Sequence, residues 1–121
     1  MESKSDLKRQ YKETSNEAGI FLITNTTNGK VFLGSSLNLY GPLNKHRFML
    51  STGSHLNSEL QADWNRLGAD AFKFEIVEVI KPSDDPDFRL ETALVASEEA
   101  WLAKMQPVGE RGYNRNVRIR E

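Results

Sequence analysis

The sequence predicts an α+β domain, in which a small mixed sheet of three strands is flanked by helices in an α/β/α arrangement. Two observations support this class: an apolar β-hairpin in the first third of the chain, and a third, alternating strand between helical segments. A chain of 121 residues suits one domain with one core, so we expect a single domain over 1–121. Its core should cover about 18–115, and an arginine-rich tail should occupy 111–121.

A short helix and a hairpin should open the chain. Ser3 or Ser5 can cap a helix over about 5–13, because serine hydroxyls accept hydrogen bonds from the free N–H groups of a first turn. Two apolar runs follow at about 18–25 and 30–36, separated by turn-forming residues. These runs predict two antiparallel strands.

The turn between the two strands sets their register. The pair Asn28-Gly29 is typical of a two-residue type I′ turn, because both central positions of that turn need a positive φ. Such a turn places Thr27 opposite Lys30. Side chains alternate along a strand, so one face of the hairpin should carry Phe21, Ile23, Asn25, Phe32, Gly34 and Ser36. Both faces are apolar and should be at least partly covered, the second face carrying Ile20, Leu22, Val31 and Leu33.

Two helices should follow the hairpin. The first should start near Pro42, a residue favoured in a first turn, and end at Gly53, which can adopt a left-handed cap conformation. Asn57 or Ser58 should cap the second helix, and Gly68 should end it.

The remaining chain predicts one strand and one long helix. The stretch FKFEIVEVI at 72–80 alternates apolar and charged residues for most of its length, which is typical of a half-buried strand. A polar loop follows. Asp87 should then cap a last helix that runs to about Met105, shortly before Pro107.

Composition and charge limit the class of protein. The hydrophobic share of 38% and the charged share of 27% are ordinary for a soluble globular domain. The net charge of −1 argues against strong, general binding to the phosphates of nucleic acids. The absence of cysteine excludes disulfides, thiol nucleophiles and cysteine-ligated zinc. The polar N-terminal stretch and the lack of a long apolar run predict a cytoplasmic protein without a membrane partner.

The order of several short motifs resembles that of the GIY-YIG nuclease superfamily. The resemblance runs from about Gly19 to Asn114, and it rests on the motifs GIF at 19–21, FLG at 32–34, NKHR at 44–47, Glu98 in EEAW, and GYN at 112–114. It implies a three-stranded antiparallel sheet with helices on both sides. It also implies hydrolysis of nucleic-acid phosphodiester bonds with one divalent ion, Mg²⁺ or Mn²⁺.

The resemblance departs from the family pattern at three positions. A tyrosine usually stands in each triplet, but these positions are Phe21 and Phe32 here, so the site floor that they form with Gly34 has no hydroxyl. The position of the usual arginine, eight residues after Gly34, is Pro42. Loss of a general base alone typically costs about 10²–10⁴ in rate.

Other family positions are retained. The resemblance implies that Glu98 binds the metal ion and that Asn114 supports the site. His46 stands where the family has a histidine or a tyrosine, and near neutral pH it can act as a base. Lys45 and His46 lie on the face of the predicted helix that Pro42 occupies, so Lys45 can supply the positive charge that the missing arginine would have carried. Arg47 is turned by roughly 100° from His46, but its side chain is long.

The tail can contribute a local basic edge although the whole chain is not basic. Its candidate phosphate contacts are Arg111, Arg115 and Arg118. A solvated terminal strand is the alternative. The resemblance implies nucleic acid as the partner, DNA rather than RNA, with shape or a protein partner supplying any specificity. The oligomeric state stays open.

Each candidate residue also has a plain structural explanation. Phe21 and Phe32 can be core aromatics, and His46 and His55 can be solvated or hydrogen-bonded. Two functions therefore remain open. One is a slow, metal-dependent endonuclease with substituted catalytic groups, and the other is an inactive nuclease fold that binds nucleic acid or a protein.

Overall fold

The computed structural model describes residues 17–114. The elements within this range are β1 (Ala18–Asn25), β2 (Val31–Ser36), α1 (Tyr40–Thr52), α2 (Ser58–Leu67), β3 (Phe72–Ile80) and α3 (Leu90–Met105), with short 3₁₀ turns at Ala69–Ala71 and Gly109–Arg111. The predicted N-terminal helix at about 5–13 lies outside the described residues. No helix in the described range is both long enough and apolar enough to cross a membrane.

The three strands form one antiparallel sheet in the order β2-β1-β3. The α+β class is confirmed. The sheet is antiparallel, as the family resemblance implies, and not mixed, as the strand pattern alone suggested. β1 pairs with both neighbours and is buried along most of its length, which explains why apolar residues follow one another there without alternation. β2 and β3 are the edges.

The hairpin register differs from the predicted one by two positions. Phe21 pairs with Gly34, not with Ser36 as the two-residue turn would require. The connection is longer because Asn25 organises it: its Oδ1 accepts from the backbone N–H of Thr27 at 3.0 Å and from the Thr27 hydroxyl at 2.6 Å. Gly29 has a positive φ of 81°, whereas Asn28 does not.

A shift of two positions leaves every side chain on its predicted face. On the first face, Phe21 and Ile23 pack with residues of α1 and α2, among them Leu50, Leu60 and Trp64. On the second face, the apolar residues of the hairpin pack with α3, in a cluster formed by Ile20, Leu22, Val31, Leu33 and Leu94. The two covered faces predicted from the sequence are therefore confirmed.

Glycine at position 34 is required by the ring of Phe21. A Cβ at Gly34 would overlap this ring, and the nearest ring atom would be Cζ. Gly19 has a similar constraint on the other side of β1, because a Cβ there would overlap the carbonyl of Glu78. The two glycines thus allow close approach across neighbouring strands.

The ends of α1 and α2 lie close to their predicted positions. α1 begins at Tyr40, two residues before Pro42, and ends at Gly53, which has a φ of 80°. The side chain of Asn57 caps α2 by accepting from the N–H of Leu60 at 3.0 Å. α2 ends before Gly68, as predicted.

The start of α3 differs from the prediction. The helix begins at Leu90, and Asp87 does not cap it. The backbone N–H of Asp87 instead donates to Oδ1 of Asp85 at 2.9 Å, so these aspartates shape the preceding loop. The end at Met105 is as predicted.

Residues 112–114 close onto the outer edge of β2. Gly112 forms a parallel bridge with Val31, and the N–H of Tyr113 donates to the Val31 carbonyl at 2.8 Å. The side chain of Asn114 then accepts from the N–H of Leu33 at 2.8 Å and donates to its carbonyl at 2.9 Å. One amide side chain thus takes the place of a neighbouring strand and satisfies both backbone groups of Leu33.

The side chain of Tyr113 ties this segment to the first core. Only 1% of its surface is exposed, and its hydroxyl accepts from Nδ2 of Asn25 at 2.9 Å and donates to Oδ2 of Asp63 at 2.7 Å. Burial is the main cause that raises the pKa of Tyr113, so the hydroxyl stays protonated. The backbone carbonyl of Tyr113 accepts from Nδ2 of Asn57 at 2.6 Å. The same tyrosine therefore links β1, α2 and the C-terminal segment.

Gly34→Ala should lower the free energy of unfolding by about 1–3 kcal/mol, because the new methyl group overlaps Phe21 in a filled core. The cost should be smaller in a Phe21→Leu background, since leucine lacks the ring. Urea unfolding of the parent, the two single variants and the double variant measures this coupling. Gly41→Ala is the control: the nearest atoms to a Cβ there lie 3.9 Å away, so stability should hold or rise. Equal costs of Gly34→Ala in both backgrounds would contradict the packing.

Candidate active site

Successive residues of β2 each contact one side chain that the family resemblance singles out. This strand therefore brings the candidate residues into one neighbourhood although they come from distant parts of the chain. In chain order, the contacts are Phe32 with His46, Leu33 with Asn114, Gly34 with Phe21, and Ser35 with Glu98.

The predicted aromatic floor and the predicted histidine do meet. The ring centroid of His46 lies 5.4 Å from that of Phe21 and 5.3 Å from that of Phe32. Phe21 is only 2% exposed, and its Cζ, to which a tyrosine hydroxyl would be attached, lies over Gly34. Phe21 is thus a core residue and also part of the floor under His46.

A second histidine, which the sequence analysis did not place in the site, pairs with His46. The two rings stack with centroids 4.9 Å apart, and Nδ1 of His46 lies 2.7 Å from Nε2 of His55. His55 also braces the start of α2, because its Nδ1 accepts from the N–H of Asn57 at 3.0 Å. The sequence feature that could have predicted this pairing is Gly53, because a left-handed glycine at the end of α1 turns the chain and lets His55 return to His46.

The environment keeps both histidines neutral. Desolvation is the main cause that lowers the pKa of His46 to about 4, and electrostatic repulsion between the two imidazoles when both are protonated, and from Lys45, lowers it further. Burial also lowers the pKa of His55. A group with a pKa this low is unprotonated at neutral pH but is a weak base there.

The predicted cations lie in different places. Lys45 is exposed on α1, close enough to His46 to influence its pKa. The guanidinium of Arg47 lies 4.4 Å from the ring centroid of Phe74 on β3, which directs it towards the sheet edge opposite β2. Arg111 is exposed and its Nε donates to the carbonyl of Met105 at 3.3 Å. Arg115 and Arg118 lie outside the described residues.

Glu98 lies half-buried on α3 and contacts β2. One of its carboxylate oxygens accepts from the hydroxyl of Ser35 at 3.0 Å. Ser35 pairs with Ile20, so this contact lies on the α3 side of the sheet, whereas His46 lies on the α1 side. The structure therefore places the candidate carboxylate and the candidate histidine on opposite faces next to the same edge strand.

A second carboxylate holds α3 in place. Oε1 of Glu78 on β3 accepts from the hydroxyl of Ser97 at 2.6 Å and from Nε1 of Trp101 at 2.7 Å. These two hydrogen bonds are the main causes that lower the pKa of Glu78. Ser97 and Trp101 flank Glu98 along the helix, so their bonds to Glu78 fix the position from which Glu98 reaches Ser35.

The donor groups present fit a hard cation that keeps most of its water. Within residues 17–114, no group of three or more His, Cys, Asp or Glu side chains could form a complete metal cage. Glu98 and Ser35 supply a carboxylate and a hydroxyl, which are oxygen donors of the kind that Mg²⁺ prefers. Water and phosphate oxygens would provide the other ligands of such an ion.

Comparison with known proteins agrees with this geometry. The family model of the GIY-YIG catalytic domain matches residues 17–114. The chain belongs to the GIY-YIG family. No curated protein matches the chain. The GIY-YIG fold nevertheless explains the order of the elements and the position of the paired triplets on β1 and β2.

Solved structures of GIY-YIG domains are also similar. The catalytic domain of homing endonuclease I-TevI is 28% identical, with a TM-score of 0.64, and the match covers 81% of this chain and 97% of that one. The catalytic domain of intron endonuclease I-TevI, in a mutant form with one glutamate replaced by alanine, is 26% identical at the same TM-score, covering 81% and 92%. These matches support an endonuclease-like function at the level of the family.

The Cε1–H resonance of His46 should titrate with a midpoint near pH 4, about 2.5 pH units below its ordinary value of 6.5. The unfolded chain binds this proton at higher pH than the folded chain does. The stability that neutral His46 contributes is therefore complete above about pH 6.5 and is lost as the pH falls towards 4. NMR titration measures the midpoint, and urea unfolding at about pH 7 and about pH 5 should show a smaller pH effect for His46→Gln than for the parent. A midpoint near 6.5 would contradict the buried pair.

Asn114→Ala should lower the free energy of unfolding by about 1–3 kcal/mol, because both backbone groups of Leu33 lose their partner. The amide of Leu33 should also exchange with deuterium faster than in the parent, which locates the effect on β2. Glu110→Ala, at an exposed position of the same segment, should change stability by less than about 0.5 kcal/mol. Unchanged exchange at Leu33 would show that the two hydrogen bonds from the Asn114 amide do not hold this strand.

Proposed function

We propose that this GIY-YIG protein is an endonuclease-like enzyme that hydrolyses phosphodiester bonds of DNA with Mg²⁺ or Mn²⁺. The observation that carries the proposal is the hydrogen bond between Glu98 and Ser35. It joins the retained glutamate of the last helix to the residue that directly follows the second triplet. The similar solved structures are catalytic domains of endonucleases, which favours nucleic acid as the substrate of this chain too.

Glu98 would hold the metal ion in this mechanism, and Ser35 would orient its carboxylate. A divalent ion bound there would supply Lewis-acid stabilisation of negative charge on the phosphate. Asn114 acts through the backbone, since it fixes Leu33 next to Gly34 and Ser35. It is a positioning residue in this proposal and need not touch the substrate.

His46 and the exposed cations would bind the phosphate backbone. Lys45 is the nearest candidate for charge neutralisation, because its charge already acts on His46. The position of Arg47 over Phe74 favours a contact with a phosphate farther along the bound nucleic-acid strand. Arg111 and the tail arginines Arg115 and Arg118 would add sequence-independent phosphate contacts.

The missing groups should make the enzyme slow. Removal of a single electrostatic stabiliser costs on the order of 10²–10³ in rate, and removal of a general base costs a similar factor or more. Phe21, Phe32 and Pro42 stand where the family usually has three such groups. Their effects are not additive, so the combined loss need not reach the product of the separate factors.

An inactive binding module is the second candidate function. The buried position of Phe21, whose Cζ lies over Gly34, favours it, because this ring packs well without any hydroxyl. In that case the same cations would bind nucleic acid, or the former cleft would bind a protein, and neither Glu98 nor a metal ion would be needed.

Glu98→Gln should reduce Mg²⁺-dependent cleavage of plasmid DNA by about 10²-fold or more, because the amide loses the charge that attracts the cation. Glu99→Gln is the matched control: it makes the same change one position along α3, where the side chain is exposed, and should cleave as the parent does. A chelator should abolish cleavage by all three proteins. The thermal midpoint of the parent should also rise with Mg²⁺, and that of Glu98→Gln should not.

The outcomes separate the two functions. Cleavage by the parent and by Glu99→Gln, but not by Glu98→Gln, supports the enzyme. Equal DNA binding by all three proteins, with no cleavage by any of them under Mg²⁺ or Mn²⁺, supports the binding module. Faster cleavage of RNA than of plasmid or single-stranded DNA would contradict the proposed substrate class.

A further inference from the structure

His55 is held rigidly against the first turns of α2. Its backbone N–H donates to Oε1 of Gln61 at 2.9 Å, and its ring Nδ1 accepts from the backbone N–H of Asn57 at 3.0 Å. Gln61 is itself buried, and its amide nitrogen donates to the Leu50 carbonyl at 3.0 Å. The hydrogen bond from the Asn57 backbone therefore fixes the orientation of the His55 ring in addition to its contact with His46.

These contacts determine where the protons of the histidine pair lie. A backbone N–H can only donate, so Nδ1 of His55 must offer a lone pair. Neutral imidazole carries one N–H group, which in His55 must then be at Nε2. This proton points into the 2.7 Å contact, so Nδ1 of His46 accepts it. Neutral His46 must consequently carry its own proton on Nε2.

The opposite arrangement is chemically excluded near neutral pH. A proton on Nδ1 of His46 would require a lone pair on Nε2 of His55, and His55 would then have no proton on either nitrogen. Full protonation of His46 would bring two N–H groups face to face at 2.7 Å. The lowered pKa of His46 is consistent with its burial and with this repulsion, and the lowered pKa of His55 is consistent with its burial.

We propose that His55 is a positioning residue that fixes the tautomer of His46, so that His46 acts as an Nε2–H donor to a phosphate oxygen of bound nucleic acid. This differs from the action as a base that the sequence suggests for His46. The ring centroid of His46 lies 5.4 Å from that of Phe21 and 5.3 Å from that of Phe32, so the histidine that carries this donor packs against the two positions where the family usually has tyrosines. The phosphate ligand rests on the proposed function, whereas the tautomer does not.

Two substitutions of His55 separate its hydrogen bond from its bulk. His55→Gln keeps an amide N–H that can reach Nδ1 of His46, because a glutamine amide nitrogen lies about as far from its backbone as Nε2 of histidine. His55→Phe keeps the flat ring that stacks on His46 and contacts Phe32, but it has no donor. The full chain is used throughout, and thermal unfolding checks that each variant is folded.

Long-range ¹H–¹⁵N correlation spectra of the parent at neutral pH should show His46 protonated at Nε2 and unprotonated at Nδ1. His55→Gln should keep this pattern, and His55→Phe should give a mixture of both tautomers. Addition of a short DNA oligonucleotide should shift the Nε2 resonance of His46 in the parent. If the parent is catalytic, His55→Phe should cleave on the order of 10²-fold more slowly, and His55→Gln should retain most of the rate.

The parent spectrum decides the inference even if a variant fails to fold. Protonation of His46 at Nδ1, or a mixture of tautomers in the parent, would overturn it. An unchanged pattern in a folded His55→Phe protein would show that His55 does not set the tautomer. If the Nε2 resonance of His46 does not shift at saturating DNA, the donor role is wrong. Absence of cleavage alone would count against the proposed function, and it would leave the tautomer assignment intact.

Discussion

The side-chain amide of Asn114 accepts one hydrogen bond from the backbone of Leu33 and donates another to it. The candidate site depends on this pair of hydrogen bonds, which we call the Asn114 clamp. An edge strand has unpaired N–H and C=O groups, and β2 would otherwise expose them along its outer side. The clamp fixes the middle of β2, where Phe32 precedes Leu33 and Gly34 and Ser35 follow it. His46, Phe21 and Glu98 all contact this strand, the first two from one face of the sheet and Glu98 from the other.

The clamp is itself anchored by a buried tyrosine. Tyr113 bonds through its hydroxyl to Asn25 and Asp63 and through its carbonyl to Asn57, so the C-terminal segment is tied to the hairpin turn and to the cap of α2. Asn25 in turn shapes the turn through Thr27. The GYN motif therefore has a structural role that involves the whole first core, and the register of the hairpin belongs to the same network.

The site is divided between the two faces of the sheet. The histidine pair lies over the phenyl rings on one face, and the carboxylate lies beside Ser35 on the other. In the proposed function, a phosphodiester bound along the edge of β2 would meet the donor of His46 on one side and a cation near Glu98 on the other. The first side has phenylalanine where the family usually has tyrosine, whereas the second side retains the glutamate to which the family resemblance assigns the metal ion.

Local sequence determined the elements of this protein. Alternation over a few residues was enough for the bounds of β3 and for the two faces of the hairpin, and the residues Asn57, Gly53 and Gly68 marked helix ends by their own conformational preferences. Only the tertiary structure decided the hairpin register, the pairing of His46 with His55, the position of Arg47 over Phe74 and the partner of Glu98. These features join residues from separate elements, and their geometry depends on how the helices pack on the sheet. Periodicity along the chain cannot report that packing, because it describes each element alone.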